Sequence, residues 1–428
     1  TGFRPFSKAL RPGMDIPDGP LAIKRVAWTF LRSSTSIASG GNAEMRVAIV
    51  HHSLNSCGGG ERLCLNVMEA LRGEGHEIVL ATTERTDWSR VERAFGRRFE
   101  PDEEVCLLPV KLRAFGIYQR MATSLLAGRL LREADMVINT HGDMVAAPCH
   151  ITYVHYPTFA LLEQARDVRV KYRKNLFWRF YFAPYQIAQV RLWRFYMDRT
   201  VILTNSRFSK EVIKERIGRD AVVIYPPVDL KAFRPGRKEP LVLTVGRFTW
   251  EKRLDLVPRI AELVPEARFV VAGSTAIGSG DIIRRIKRYG AENVEVRTDI
   301  SFDELRELYA RAKIYLHLMA AEHFGISVVE GMASGCVPVV HKSGGPWLDI
   351  TERGRYGFGF GSLGEAASLI RRLLADEELW TEYSGRAIRR AQLFSEEAFK
   401  KRFKAVFNAI AGPASSTPND YASPEVRP

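Results

Sequence analysis

The sequence has few cysteines and no long apolar run, and these absences limit the class of protein that it can encode. Its five cysteines are scattered and no two have the spacing of metal ligands, which favours reduced thiols and a cytosolic protein. No run of roughly 18 or more apolar residues is present, so no segment has the composition of a membrane-spanning helix. Neither a Gly-x-Gly-x-x-Gly fingerprint nor a Gly-Lys-Ser/Thr phosphate loop follows the first predicted strand, which disfavours a dinucleotide cofactor and a P-loop enzyme.

Acidic residues are in the minority. The 428 residues include 49 Asp and Glu against 63 Lys and Arg, which gives a formal net charge of +14. Such a balance suits an anionic partner, which could be nucleic acid, a phosphorylated substrate or an acidic membrane surface. The length and the 46% hydrophobic content are sufficient for two domains with full cores.

The two ends of the chain differ from its middle. Residues 1–44 lack a strong hydrophobic period and are predicted to be a disordered or extraneous leader, with the folded part beginning at Met45. The apolar and basic stretch 21–32 could instead form a helix at a membrane surface. Residues 412–428, rich in Pro, Ser, Asn and Asp, are predicted to be a disordered tail.

From Met45 onward, apolar strand patterns alternate with amphipathic helix patterns, which predicts parallel sheets covered by helices on both faces. The alternation breaks at a proline-rich, basic connector, 226–240, and then restarts. We therefore predict an α/β protein of two facing doubly wound domains, 45–225 and 241–394, followed by a C-terminal helix at 395–411. Ligands of such sheets bind beyond the carboxyl ends of the strands, here in the cleft between the domains. The strands are predicted at residues 46–50, 78–82, 105–110, 136–139, 151–154, 201–204, 241–245, 269–272, 294–296, 314–318 and 337–340.

The segment 322–331 is the most informative part of the chain. It places Glu322 on a loop after a predicted strand and Glu330 about one turn into the following helix, so that both carboxylates face one crevice. The amides at the helix start have no partner within the helix and are suited to a phosphate. One carboxylate could then bind sugar hydroxyls and the other ribose hydroxyls, although a glutamate here also complements the helix dipole without any ligand. The amides belong to Gly325, Ile326 and Ser327.

Two further loops carry groups that suit a phosphorylated sugar. Gly59 and Gly60 open a helix after the first strand and let backbone amides approach a pyrophosphate or a sugar, unless they only form a tight turn. Arg247 and Lys252 follow the first strand of the second domain and can reach anionic oxygens across the cleft, unless they lie on a solvated basic loop. Two fixed cations can stabilise a departing nucleoside diphosphate without a metal.

Histidines at strand ends are less specific candidates. His155 ends a predicted strand of the first domain and could bind the transferred sugar or steady charge near the reacting carbon, although a histidine beside a proline is often structural. His51, His52 and His141 share that ambiguity.

The segment 161–200 combines nine basic residues with ten aromatic residues and only three acidic ones. This mixture suits a membrane surface, where rings lie at the headgroup level and cations contact lipid phosphates. It also suits single-stranded nucleic acid, or a pair of helices whose aromatic side chains pack inward.

Residues 46–410 resemble glycosyltransferase family 4 and its GT-B fold, because the three loops described above occur in the family's order and domain positions. The resemblance extends to the eukaryotic enzyme that adds α-1,2-mannoses to the dolichol-linked oligosaccharide. The segments that carry this narrower resemblance are 153–158, 322–325 and 341–350.

The resemblance implies a retaining, metal-independent transfer of a hexose, with a nucleoside diphosphate sugar such as GDP-mannose as co-substrate and a polyprenyl-linked or other saccharide as acceptor. No other cofactor is expected. The implied roles are diphosphate binding by Arg247 and Lys252, sugar binding by Glu322, ribose binding by Glu330 and support of the anomeric carbon by His155.

The first hypothesis is therefore a cytoplasmic glycosyltransferase that lies peripherally on the cytoplasmic face of a membrane. Two other functions stay open. One is a GT-B sugar-nucleotide 2-epimerase, which needs no acceptor, and the other is a non-catalytic module that binds a nucleotide sugar or RNA. Nucleic acid is the less favoured partner.

Overall fold

The computed structural model describes residues 44–107, 116–143, 146–157, 176–276 and 278–411. The predicted tail and all but the last residue of the predicted leader lie outside these ranges. None of the helices within them has both the length and the hydropathy that crossing a bilayer requires.

The first lobe is built on seven parallel strands in the spatial order β3-β2-β1-β4-β5-β6-β7. The strands are β1 (Arg46–Val50), β2 (Glu77–Thr82), β3 (Glu103–Cys106), β4 (Met136–Asn139), β5 (Ile151–Val154), β6 (Val201–Thr204) and β7 (Val222–Val223). Its helices are α1 (Gly59–Arg72), α2 (Trp88–Phe95), α3 (Gly116–Leu130), α4 (Leu176–Met197) and α5 (Arg207–Ile217).

The second lobe is built on six parallel strands in the order β10-β9-β8-β11-β12-β13. The strands are β8 (Glu239–Val245), β9 (Arg268–Gly273), β10 (Val294–Thr298), β11 (Ala312–His317), β12 (Val337–His341) and β13 (Phe358–Phe360). The helices that follow are α6 (Val257–Ala261), α7 (Ser279–Tyr289), α8 (Phe302–Arg311), α9 (Ile326–Ala333), α10 (Leu363–Ala375), α11 (Glu377–Ala391) and α12 (Glu396–Ala411).

Both sheets are doubly wound, which confirms the predicted fold class. The direction in which strands are added reverses between β1 and β4 in the first sheet and between β8 and β11 in the second. Loops diverge at such a switch point and leave a crevice at the carboxyl edge of the sheet. The loops after β1, β4, β8 and β11 carry most of the predicted site residues.

The strand predictions were correct in the buried centre of the first sheet and wrong at the edges. Strands β4, β5 and β6 have the predicted bounds, and their residues are all buried. The strand predicted at 105–110 begins instead at Glu103, because this edge strand starts with two charged residues that break the apolar pattern; residues 108–110 lie outside the described ranges. The short strands β7 and β13 were not predicted.

The last helix, α12, packs on the first lobe. Its buried apolar face joins the core of the first sheet beside α1 through Phe399, Phe403, Val406, Phe407 and Ile410. The Ser395 hydroxyl accepts a hydrogen bond from the Ala398 amide at 3.1 Å and caps the helix. Arg97 of the first lobe pairs with Glu396 at 2.6 Å. The chain therefore crosses between the lobes twice, once before β8 and once before α12.

Gly273→Ala is expected to destabilise the second lobe, because the added Cβ would lie 1.8 Å from the backbone oxygen of Gly246 and would force β8 and β9 apart. We expect the free energy of unfolding, measured by urea denaturation, to fall by at least about 3 kcal/mol. Gly364→Ala is the control, because no atom lies within 4 Å of the added Cβ, and it should change stability by less than about 1 kcal/mol. Similar stabilities of the two variants would contradict the predicted clash between the added Cβ and the backbone of Gly246.

Candidate active site

A cavity of about 410 Å³ opens between the carboxyl edges of the two sheets. The residues assigned to the predicted sugar-nucleotide site all lie on its wall, so the fold brings together groups from both lobes. The less specific candidates His51, His52 and His141 are not among its lining residues. The predicted residues that line it are Gly59, Gly60, His155, Arg247, Lys252, Glu322, Gly325, Ile326, Ser327 and Glu330.

The start of α9 forms one wall of the cavity. Gly325 precedes the helix with a φ of +102°, a conformation that favours glycine, and an added Cβ would lie 3.1 Å from the Pro346 ring. The amides of Ile326 and Ser327 belong to the first turn, where no intrahelical acceptor exists. This helix start is a built site for an anion.

The start of α1 faces α9 across the cavity. A Cβ on Gly59 would lie 2.7 Å from the Cδ1 atom of Ile326, so a side chain here would have to displace the end of the Ile326 side chain of the other lobe. The Gly58 amide donates to the Glu61 carboxylate at 2.8 Å, which fixes the glycine turn. Two helix starts of opposite lobes therefore point positive backbone ends at one space.

Glu322 and Lys252 form an ion pair at the centre of the cavity. The His317 Nε2 atom lies 3.5 Å from the same carboxylate. Burial alone would raise the pKa of Glu322, but hydrogen bonding and charge from His317 and Lys252 hold that pKa well below its ordinary value. Sequence analysis assigned Glu322 and Lys252 to different parts of a ligand and did not predict that they bind each other. Arg247 lies on the same wall with an exposed side chain.

Glu330 lies one turn into α9 at the far end of the cavity. Its carboxylate accepts a hydrogen bond from the Tyr309 hydroxyl at 3.0 Å. Burial raises the pKa of Glu330, because the nearby Arg62 and the Tyr309 hydroxyl offset only part of the desolvation.

His155 lies at the end of β5 on the opposite wall. Its Nε2 atom is buried and has no hydrogen-bond partner among the described residues. Burial lowers the pKa of His155, which keeps the imidazole neutral near pH 7. A Cβ on Gly60 would lie 3.5 Å from this Nε2 atom, so the glycine leaves the ring accessible.

His51, His52 and His141 cluster behind the glycine turn. One ring nitrogen of each lies within 4.8 Å of the others, and they are the group among the described residues that could hold a metal ion. The His52 and His141 Nδ1 atoms lie 2.8 Å apart, but the His51 Nδ1 atom bonds to the Thr140 hydroxyl at 2.9 Å and its Nε2 atom lies 3.8 Å from Glu61. Two nitrogens converge and the third is engaged elsewhere, which is a poor match to a tetrahedral three-histidine site.

Sequence analysis missed several residues of the cavity wall. His323 and Phe324 lie inside the segment 322–331, but no role was predicted for their side chains. Asn205 follows β6, and a polar residue after a buried strand was the available signal. The other missed residues of this wall are Pro226, Val245 and Gly246.

A second cavity, of about 320 Å³, shares Val245, Gly246 and Arg247 with the first and extends toward the end of β10. Its other lining residues are Gly273, Ser274, Asp299, Ile300 and Leu305. Asp299 has a φ of +53° and accepts hydrogen bonds from both the amide and the hydroxyl of Thr275 at 2.8 Å.

Lys252→Met is expected to lower the free energy of unfolding by about 3 kcal/mol near neutral pH, because it leaves the buried Glu322 carboxylate without its lysine. The paired carboxylate has a pKa below the ordinary 4.5, so the pair stabilises the folded state above that value and loses its effect as the pH falls. The difference between variant and wild type, measured by denaturation, should therefore shrink below about pH 4.5. Arg129→Met, which breaks the exposed pair with Glu133, is the control and should cost less than about 1 kcal/mol. A pH-independent loss in Lys252→Met would contradict the pairing.

Comparisons with known proteins agree with this architecture. The family described as Glycosyltransferase Family 4 matches residues 57–232, and the family described as Glycosyl transferases group 1 matches residues 227–391. The human GDP-Man:Man(3)GlcNAc(2)-PP-Dol alpha-1,2-mannosyltransferase is 26% identical over 438 residues, which cover 86% of this chain and 87% of the human protein. The enzyme of the same name from Dictyostelium discoideum is 30% identical over 218 residues, 45% of this chain and 43% of that protein.

Solved structures share the fold at low identity. Anabaena HepE in complex with UDP and glucose has a TM-score of 0.64 at 16% identity and covers 85% of this chain and 100% of its own. WaaG, a glycosyltransferase involved in lipopolysaccharide biosynthesis, has a TM-score of 0.64 at 15% identity, with 86% and 100% covered. These structures show that the chain has the GT-B fold. The two family matches, which together span residues 57–391, show that the chain belongs to glycosyltransferase family 4 and is a glycosyltransferase.

Proposed function

We propose that this glycosyltransferase transfers mannose from GDP-mannose to a polyprenyl-linked saccharide, with retention of the anomeric configuration and without a metal ion. The observation that carries the proposal is the cavity between the lobes, in which two helix starts, two basic side chains and two carboxylates face one another. The relatives named as GDP-mannose-dependent α-1,2-mannosyltransferases support the choice of sugar and acceptor class.

The diphosphate would lie against the start of α9. The amides of Ile326 and Ser327 would bind its oxygens, and Arg247 and Lys252 would neutralise its charge. Because Lys252 already pairs with Glu322, the donor would move the lysine toward phosphate and free the carboxylate for the sugar hydroxyls. Fixed positive groups of this kind can stabilise a leaving diphosphate in place of a divalent ion.

The nucleoside would occupy the end of the cleft bounded by the second lobe. Glu330 would bind the ribose hydroxyls, and its hydrogen bond from Tyr309 would hold it in position. The base would enter the second cavity, between the ends of β9 and β10. In this arrangement Glu322 and Glu330 would bind different parts of one donor, the sugar and the ribose.

The chemical step would replace one bond at the anomeric carbon of the sugar with another. The bond between the anomeric carbon and the diphosphate breaks, the acceptor oxygen bonds to that carbon on the same face, and the acceptor's proton passes to the departing diphosphate. His155 is neutral, so it could hydrogen-bond a sugar hydroxyl beside the reacting carbon without adding charge.

Part of α4 would place the enzyme on a membrane. Its described side chains include three exposed apolar groups at helical spacing, with exposed fractions of 72% for Phe180, 53% for Ile187 and 65% for Phe195. Arg191 and Arg194 are exposed on the same helix, whereas Phe182, Tyr185 and Trp193 are buried. In the predicted segment 161–200, some side chains are therefore packed inward and others are exposed, and its residues 161–175 lie outside the described ranges. The exposed face suits the cytoplasmic surface of an anionic membrane, where a lipid-linked acceptor is found.

Purified enzyme given GDP-mannose and a polyprenyl-linked oligosaccharide is expected to release GDP and extend the saccharide in the presence of EDTA. Glu322→Gln should lower kcat by about 100-fold or more, because its contacts to the sugar strengthen toward the transition state. Glu377→Gln, which removes the surface partner of Lys313, is the control and should act as wild type.

Three results would contradict these assignments. Epimerised donor in the absence of acceptor would indicate a 2-epimerase, and transfer from other nucleotide sugars alone would refute GDP-mannose. Loss of activity in EDTA that zinc or manganese restores would refute metal independence. The activity of His141→Gln with added metal would then test whether the ion binds at the histidine cluster.

Replacing both Phe180 and Phe195 with Ser is expected to lower binding to vesicles of phosphatidylserine and phosphatidylcholine by about tenfold, because two rings no longer enter the headgroup region. Flotation of the enzyme with such vesicles measures this. Phe302→Ser, which changes an equally apolar exposed ring on the second lobe, should leave flotation unchanged. Equal flotation of the wild type, the double variant and Phe302→Ser would show that Phe180 and Phe195 do not contact the membrane.

A further inference from the structure

We infer that Tyr156 and the start of α5 are an inter-lobe clamp that sets the distance between His155 and Glu322. The clamp consists of Tyr156, Ser206 and Ser209 of the first lobe and His323 and Asp349 of the second. It rests on the roles proposed above for His155 and Glu322, and it makes Tyr156 and Ser206 positioning residues for the transfer.

The first contact is a ring stack across the cleft. The Tyr156 and His323 rings are 3.7 Å apart between centroids with an angle of 5° between their planes. Tyr156 also stacks on Phe208 of α5, with centroids 6.2 Å apart and an angle of 16° between the ring planes. The two rings that meet across the cleft each belong to a residue next to a candidate reacting residue: Tyr156 follows His155, and His323 follows Glu322. The stack therefore joins the two backbones that carry the opposite walls of the sugar site.

The second contact holds the same two backbones by hydrogen bonds. The Ser206 hydroxyl donates to the His323 carbonyl oxygen at 2.6 Å, and the Ser209 hydroxyl donates to the His155 carbonyl oxygen at 3.1 Å. The Ser209 amide donates to the Ser206 hydroxyl at 3.0 Å, which is the N-cap of α5. The capped first turn of α5 therefore binds the main chain at His155 and at His323, which is next to Glu322.

The third contact is a helix cap supplied by the other lobe. Asp349 is fully buried, and its carboxylate accepts from the Arg207 amide at 2.8 Å and from the Phe208 amide at 3.4 Å. It also accepts from the Tyr225 hydroxyl at 3.1 Å. A second-lobe carboxylate therefore satisfies first-turn amides of a first-lobe helix, which opposes sliding of one lobe past the other.

The first two contacts involve the main chain at and directly after the proposed reacting groups, and the third reaches Tyr225 beside the crossing segment that precedes β8. The stack does not require charge, because burial lowers the pKa of His323 to about 4 and leaves the imidazole neutral at neutral pH. A shift of about 1 Å in such a cleft can cost on the order of 100-fold in rate. The clamp would therefore act on kcat more than on the affinity for the donor, whose binding groups lie mainly on the second lobe.

The test compares Tyr156→Ala with Tyr156→Phe and with Tyr383→Ala. The last variant removes a tyrosine ring in the second lobe whose centroid lies 4.4 Å from that of Phe358, at an angle of 40°. Tyr156→Ala is expected to lower kcat by about 10- to 100-fold with the KM for GDP-mannose changed by less than about threefold. Tyr156→Phe keeps the stack and should retain activity, and Tyr383→Ala should match wild type. Ser206→Ala, which removes the hydrogen bond to His323, should also lower kcat and serves as the second variant if Tyr156→Ala does not fold.

Small-angle scattering without nucleotide separates this inference from the proposed function, because it does not depend on which sugar is transferred. Tyr156→Ala should show a larger radius of gyration than wild type, from lobes that separate more. Unchanged kcat and unchanged scattering in Tyr156→Ala would overturn the clamp. So would equal losses in Tyr156→Phe and Tyr156→Ala, because the hydroxyl and not the stacked ring would then be responsible.

Discussion

The buried ion pair between Lys252 and Glu322 is the interaction on which the cavity depends. Neither charge is stable alone in a site of low dielectric constant, so each requires the other until a ligand supplies a replacement partner. The pairing places a cation beside a carboxylate in the cavity wall, and it helps to hold the pKa of Glu322 low, so that the carboxylate stays ionised near neutral pH. On the proposed function, binding of a donor would exchange these partners, with the phosphate taking the lysine and the sugar hydroxyls taking the carboxylate.

The positions of these charges follow from the connection of the strands. Each sheet reverses its winding once, and the loops at the two reversals face each other. Helix starts lie at those loops, so positive backbone ends are aimed at the cleft from both sides. The glycines at Gly59 and Gly325 remove the side chains that would hold the lobes apart or block the helix start. The helix starts and the basic side chains therefore both favour an anionic ligand.

Sequence patterns predicted those parts of the protein that depend on local regularity. Buried strands such as β4 to β6 were correct because a continuous apolar run identifies them. The predicted site residues share one cavity because each follows a strand end, and parallel strands bring such ends to one edge. The stack of Tyr156 on His323, the cap from Asp349 and the pairing of Lys252 with Glu322 could not be predicted. They join segments far apart in the chain, and their geometry is set by how the lobes dock.

The return of α12 to the first lobe has a consequence for biosynthesis. The aromatic side chains of this helix complete the core beside α1, yet they are synthesised only after the whole second sheet. While the ribosome is still translating the second lobe, the nascent first lobe must expose the apolar groove that α12 later covers. Until α12 is made, that uncovered groove is a surface at which the nascent chain can aggregate or be bound by a chaperone.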